Sequence, residues 1–297
     1  MSHWPGLIAN VANKPNSPMP TSPSENHITR RAALRFASAP IAALGLRRFA
    51  RAADAADGFT FIAVNDLHYF DEKCAPFFRN VVAKMRESAP EAAFCLMAGD
   101  LADGGKAAQF TPLREIFTGL GVPLHPVPGN HDFLTDTDRS AYDAAFPDKL
   151  NFVFHHGGWQ FIGLDSTQGT DFEETKISET TLAWLDTTLP NLNASAPTVA
   201  FTHFPLGKGV TYRPLNADAV LARLTTLNLR ATFSGHWHGL NEQRLDRAEL
   251  IVNRCCARIR GNRDGSPLKG WWICKATADG MLTHRFASLP AEITASP

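Results

Sequence analysis

Pro128-Gly129-Asn130-His131-Asp132 (PGNHD, residues 128–132) follows directly on the short apolar run Leu124-His125-Pro126-Val127. An amide, an imidazole and a carboxylate therefore stand side by side behind a glycine, where a strand is expected to end. Alone, the stretch reads as a turn, because Asn and Asp bond their own backbone and Gly admits the angles a turn needs. Other apolar runs decide between a turn and a site. Residues 59–64 (FTFIAV) lead into Asn65-Asp66-Leu67-His68, and residues 92–98 (AAFCLMA) into Gly99-Asp100. Residues 198–202 (TVAFT) lead into His203, and residues 232–234 (TFS) into Gly235-His236-Trp237-His238.

A D-x-H or H-x-H tripeptide is usually accidental, and a lone histidine is more often a hydrogen-bonded core residue. Five such groups in order, each at the end of an expected strand, do not coincide by accident. In open α/β sheets ligands gather at the carboxyl ends of the strands. Residues two apart in an extended chain point to the same side. On that rule Asp66 with His68, and His236 with His238, each aim two groups into one cleft. Imidazole with carboxylate suits zinc, iron or manganese, whereas oxygen-only sites suit magnesium or calcium.

Between these strands the pattern alternates. PFFRNVVAKMRESA (76–89) reads as a helix opened by proline, and a second helical stretch runs from about Phe110 to Leu120. FVFHH and WQFIGLD flank Gly157-Gly158, a hairpin signal. SETTLAWLDTTL (178–189) is a helix with Ser178 as its cap, and NADAVLARLTTL (216–227) is another. Short strands follow to the end, with ELIVN and WWICKAT the clearest. Strand and helix in alternation specify an α/β domain. His125, His155 and His156 read as packing residues, and Arg213 as a solvated loop residue.

With 29 acidic and 29 basic residues among 297, the chain has no net charge to recruit nucleic acid or an anionic membrane. No apolar run reaches the ~20 residues of a spanning helix, so stable membrane insertion is not expected. The five cysteines lack a C-x-x-C pair and read as buried thiols, with room for a single bridge. Residues 1–57 differ from the rest. Residues 1–28 are rich in Pro, Ser and Asn and read as disordered. Residues 29–55 show paired arginines, an apolar run from Phe36 to Leu46 and small residues at Ala50 and Ala52, the layout of an export signal. Thr29-Arg30-Arg31-Ala32-Ala33-Leu34-Arg35 resembles a twin-arginine signal, with Ala33 at the usual phenylalanine position. The expectation is export to the periplasm; the alternative is a cytoplasmic enzyme with a basic tail.

The ordered set Asp66-x-His68, Gly99-Asp100, Gly129-Asn130-His131-Asp132, His203, Gly235-His236-x-His238 resembles the calcineurin-like metallophosphoesterases. The resemblance runs from about residue 59 to the C-terminus, giving a domain over 58–297 with a motif core at 59–240 and a β-rich part at 241–297. It implies an α/β fold of two mixed β-sheets packed as a sandwich with flanking helices, four layers in all. It also implies two transition metal ions (iron, manganese or zinc) and a small-molecule phosphate ester as substrate, attacked by a metal-bridging hydroxide. Carried over by position, Asp66, His68 and His238 hold one ion, Asn130, His203 and His236 the other, and Asp100 bridges them. Two divalent ions bring about +4, which Asp66, Asp100 and the hydroxide reduce to roughly +1, enough to attract a phosphate ester.

His131 then meets the substrate, stabilising charge on phosphorus or protonating the leaving alkoxide. Asp132 either orients His131 or caps the turn. Purple acid phosphatases place a metal-binding tyrosine three residues after the Gly-Asp aspartate, where this chain has Asp103. The motif forms and LAWLDTTLP before the His203 strand look more like cyclic-nucleotide phosphodiesterases. Phosphodiesterase is the leading expectation, with a broad phosphomonoesterase and a non-catalytic scaffold as alternatives.

Overall fold

The apolar runs become strands, and their alternation sets which face each residue serves. The computed structural model describes residues 58–290. The expected disordered segment and export signal, residues 1–57, lie outside the described residues.

In chain order the elements are β1 (Phe59–Val64), α1 (Cys74–Ser88), β2 (Ala92–Ala98), α2 (Ala107–Thr118), β3 (Leu124–Val127) and α3 (Ser140–Ala145). Then come β4 (Phe152–His156), β5 (Trp159–Leu164), α4 (Glu179–Thr188), β6 (Pro197–Thr202), α5 (Ala217–Leu224) and β7 (Asn228–Ser234). Last are β8 (Asn241–Leu245), β9 (Ala248–Val252), β10 (Gly270–Ala276) and β11 (Leu282–Ser288). One sheet has the order β11-β10-β1-β2-β3 and the other β4-β5-β6-β7-β9-β8. Both are mixed. The strands β1, β2 and β3 run parallel, as do β5, β6, β7 and β9, while antiparallel strands complete each sheet.

Period-two alternation makes four layers from these two sheets. In β1, Phe61 and Ala63 face the second sheet, packing with Phe94 of β2 against Phe161, Phe201 and Phe233. Ile62 and Val64 face the helices instead, against Phe78, Val81 and Met85 of α1 and Phe110 and Phe117 of α2. The second sheet is covered in the same way by Leu182 and Leu185 of α4 and Val220, Leu221 and Leu224 of α5. Between the sheets the phenylalanines interlock, with Phe61 stacked on Phe94 at 5.2 Å and Phe94 edge-on to Phe161 at 4.9 Å.

Most local expectations hold. The hairpin turns at Gly157-Gly158, and Ser178 caps α4 by accepting from the Thr181 N–H at 3.1 Å. Pro76 sits in the first turn of α1, where its missing N–H costs nothing. All five cysteines are free and buried. The six-residue helix α3 was not expected, because it is too short for a helical period to show.

Candidate metal centre

All five motif-bearing ends lie together, at the carboxyl ends of β1, β2 and β3 in one sheet and of β6 and β7 in the other. Asp66, His68, Asp100 and His238 form one group with ligand atoms within 4.8 Å of one another, and Asp100, His203 and His236 form a second. Asp100 belongs to both. Its Oδ2 lies 3.5 Å from His68 Nε2, while its Oδ1 lies 3.3 Å from His203 Nε2. Asn130 Oδ1 is 3.3 Å from the same His203 nitrogen. The seven residues singled out from the sequence are thus all buried in one place.

The backbone reaches this arrangement by a route that the extended-chain rule does not give. Asp66, His68, Asp100, His236 and His238 all have positive φ, between 46° and 66°. Left-handed backbone costs a non-glycine residue about 1–2 kcal/mol, so its concentration here marks a shape imposed by the surroundings. His236 and His238 accordingly serve different halves of the cluster, and Asp66 and His68 share a half because the chain turns between them. Gly129 has an ordinary φ of −111°, so its reason is space and not turn angle. A Cβ there would overlap the Asp100 carboxylate, and one at Gly235 would overlap Asp66.

Each of the four clustered imidazoles has one ring nitrogen bonded outward. His68 Nδ1 meets Asp103 Oδ1 at 2.8 Å, and His203 Nδ1 meets the Ala98 carbonyl at 3.0 Å. His236 Nε2 meets the Phe172 carbonyl at 2.7 Å, and His238 Nδ1 the Gly261 carbonyl at 3.2 Å. A nitrogen facing a carbonyl or carboxylate carries the proton, which leaves the other nitrogen as a donor of electrons. Those inner nitrogens converge in pairs: His68 Nε2 is 3.1 Å from His238 Nε2, and His203 Nε2 is 3.1 Å from His236 Nδ1. Two lone pairs at that distance repel unless a proton or a cation lies between them.

The charges show the same demand. Burial raises the Asp66 carboxyl, but His238 prevails and holds it at about 2. Burial likewise raises Asp100, and His203 brings it well below the ordinary range. Burial lowers His203 and His238, but Asp100 lifts the first to about 9 and Asp66 lifts the second to about 11. Their partners go the other way: burial lowers His68, and burial with the nearby His203 presses His236 down to about 3. Each half therefore draws one positive charge to a point between two imidazoles and a carboxylate. A divalent cation supplies that charge and accepts both lone pairs, so the donor set fits a metal of the zinc, iron and manganese type.

His131 stands at the rim, its side chain one-third exposed (33%) and its ring edge-on to His68 at 4.8 Å. Its backbone N–H donates to Asp100 Oδ1 at 2.9 Å. Asp132 does not orient it. That carboxylate is buried and accepts from the Gly129 and Ala102 N–H groups, both at 2.8 Å, so of the two roles considered it takes the turn cap. Burial and then the nearby Asp100 push its carboxyl up to about 7.

The residue beside His131 is Asp103, whose carbonyl lies 3.5 Å and carboxylate 3.9 Å from His131 Nδ1. Asp103 also accepts from Arg260 Nε at 3.0 Å. In the sequence, position 103 stands out for the tyrosine it lacks. A second aspartate three residues after Asp100 was the available signal. Asn65 and Asn253, both at strand ends, have no sequence pattern that gives their role; Asn253 Nδ2 donates to Asn65 Oδ1 at 2.9 Å, tying the end of β1 to the end of β9. Arg213 bonds the Leu206 carbonyl and Asp218 instead of facing the cluster, and His125 stacks on Phe154 at 3.7 Å.

The family model described as calcineurin-like phosphoesterase matches residues 59–240. A 3′,5′-cyclic-nucleotide phosphodiesterase of Nostoc sp. is 27% identical over 232 residues, covering 74% of this chain and 85% of that protein. A 3′,5′-cyclic adenosine monophosphate phosphodiesterase of Escherichia coli is 26% identical over 252 residues, covering 76% of this chain and 89% of that protein. Among solved structures, a purple acid phosphatase from yellow lupin seeds superposes with a TM-score of 0.54 at 11% identity, over 82% of this chain and 56% of its own. The last likeness is one of fold.

Proposed function

The chain belongs to the calcineurin-like phosphoesterase family and is a metal-dependent hydrolase of phosphate esters; from that premise we propose that it is a dinuclear phosphodiesterase acting on 3′,5′-cyclic nucleotides. The observation that carries the dinuclear reading is the pairing of inward imidazole nitrogens, two pairs at 3.1 Å, with Asp100 facing both. Asp66, His68 and His238 would hold one ion and Asn130, His203 and His236 the other, with Asp100 placed to serve both. Ions held there would supply polarisation of the phosphate and activation of a water.

The chain's own groups do the rest. The outward hydrogen bonds fix the tautomer and direction of each imidazole, so no reorganisation is needed when the ester arrives. His131 acts on the leaving group. With Nδ1 turned to Asp103, Nε2 is the atom that delivers a proton to the departing oxygen. Preference for a cyclic diester is supported by the two cyclic-nucleotide phosphodiesterases that match three-quarters of the chain. The test is a hydrolysis screen of purified protein with manganese, iron or zinc, comparing cyclic nucleotides, bis(p-nitrophenyl) phosphate and p-nitrophenyl phosphate. Turnover confined to the monoester sinks the diester assignment.

Export through the twin-arginine route is proposed beside it, on the paired Arg30-Arg31 and the short apolar run that follows. Loading before export would let the cytosol choose the metal, since such ligands take whichever strong competitor is most available. Cell fractionation of the wild type and of an R30K/R31K variant checks this. Full-length wild-type protein retained in the cytoplasm refutes it.

A further inference from the structure

Beside His236 the surface carries aromatic groups that phosphate chemistry does not use. Phe172, in the loop between β5 and α4, is 50% exposed. Tyr212, in the loop between β6 and α5, has a φ of 66°, a conformation a tyrosine keeps only where its surroundings hold it. The two rings lie 6.1 Å apart at 63°, and Tyr212 is 5.2 Å from the His236 ring. Arg263 donates from Nη1 to Tyr212 Oη at 2.6 Å, with its guanidinium carbon 4.7 Å from the ring centroid. A single exposed phenylalanine is ordinary on a protein surface. This one is tied to the centre, because its own carbonyl accepts the His236 Nε2–H at 2.7 Å.

The loop is also braced. Gln168 receives the Asp171 N–H on its carbonyl at 3.1 Å and the Lys176 N–H on its side chain at 2.9 Å, and its amide donates to the Asp171 carboxylate at 2.9 Å. Arg263 is fixed from the other side, its backbone N–H bonded to the His238 carbonyl at 2.8 Å. An exposed ring is therefore carried on a backbone bonded to His236, edge-on to a second ring that lies beside His236 and has a cation on it.

We propose that Phe172, walled by Tyr212 and Arg263, is the stacking platform for the nucleobase of the substrate. This rests on the reading of the chain as a phosphodiesterase of cyclic nucleotides. Every base presents a π-face to such a platform, so the site selects a nucleotide over a bare sugar phosphate more than it distinguishes one base from another. Arg263 offers donors to carbonyl or ring-nitrogen acceptors at the edge of the base.

Calorimetry of manganese-loaded protein with adenosine 5′-monophosphate and with ribose 5-phosphate separates the base from the phosphate. Wild type is expected to bind the nucleotide more tightly. Phe172→Ala should weaken the nucleotide about 10-fold or more, as loss of one stacking ring does, while leaving ribose 5-phosphate within about twofold. Phe172→Leu keeps apolar volume without the ring and should lose as much, so recovery of affinity in that variant overturns stacking as the cause. Equal weakening of both ligands by Phe172→Ala also overturns the proposal. Wild type that binds ribose 5-phosphate as tightly as the nucleotide overturns the base site and leaves the phosphate site standing, whereas binding of neither overturns both readings. In turnover, Phe172→Ala should raise KM for cyclic nucleotides with little change in kcat.

Discussion

The two sheets contribute unequally to the centre. From β1, β2 and β3 come Asp66, His68, Asp100 and Asn130, so one sheet provides both carboxylates and the amide. From β6 and β7 come His203, His236 and His238, imidazoles alone. The first rim by itself gathers negative charge, and Asp100 there adds to the burial that raises the Asp132 carboxyl. The second rim by itself gathers lone pairs. Neither is comfortable alone. Their bonds to each other run across the gap: the His236 N–H donates to Asp66 at 3.0 Å, and His203 Nδ1 bonds the Ala98 carbonyl at 3.0 Å. The centre is thus a product of sheet packing, and Asp100 is the one carboxylate that belongs to both of its halves.

That asymmetry is most exposed by Asp100→Asn, which keeps the shape and removes the charge that both halves share. Elemental analysis should show both sites depleted, and turnover should fall about 10³-fold or more, the several kcal/mol that metal polarisation supplies. Normal occupancy with full activity in that variant would end the bridging assignment. His203→Ala, on the imidazole-only rim, should empty one site more than the other, so metal content should approach half that of the wild type. Loss of both ions to the same extent would mean that the halves are not separable.

His131→Ala touches neither set of inward nitrogens. Metal content should stay near that of the wild type while turnover falls about 100-fold, as for loss of a positioned acid. The deficit should shrink for p-nitrophenolate leaving groups, which need little protonation; equal deficits for nitrophenyl and alkyl esters would argue against the acid role. Asp132→Ala, one residue further, should behave in the opposite way. Two buried N–H groups lose their acceptor, so denaturant unfolding should show a loss of about 2–3 kcal/mol. Catalysis by the molecules that remain folded should change far less than in His131→Ala. A kinetic defect without a stability loss would restore Asp132 to the catalytic role.

The smallest effect lies away from the centre, at His125 on β3. Burial, then Lys149 and His156, lower its imidazole to about 4. Its folded pKa is depressed, so its contribution is fully present above about pH 6.5 and is lost as pH falls towards 4, where the unfolded chain binds the proton more readily. With its partial exposure discounted, about 1–2 kcal/mol is at stake. His125→Phe, which keeps the stack on Phe154, should flatten stability over that window. An unchanged acid slope would show that other groups set it.

Much of this was legible in the chain itself. The strands at 59–64, 92–98, 124–127 and 197–202 appear where their apolar runs lie, and the Gly157-Gly158 hairpin and the Ser178 cap follow from local chemistry. Such features depend on side-chain period and on turn residues a few positions apart, which a sequence displays directly. The cluster residues could be singled out because each follows a strand, and strand ends of one sheet must lie side by side. Asn253, Phe172 and Tyr212 could not be, and the spacing of Asp103 from Asp100 marks the residue without giving its role. None sits in a periodic pattern, and each acquires its role from a neighbour far along the chain, as Asp103 does from Arg260 and Asn253 from Asn65.

The sequence by itself determined which groups exist, on which strand ends, and in what order. Tertiary structure alone decided how they face one another. Five of the cluster residues adopt left-handed backbone that no local preference favours, and the packing of two sheets through their phenylalanine layer holds them there. The same packing sent His236 and His238 to different halves, gave Asp132 to the turn, and left His131 at the rim with Asp103 beside it. The physical reason is range: turn chemistry acts over a few residues, whereas burial, charge pairing and strain are settled only when distant segments meet.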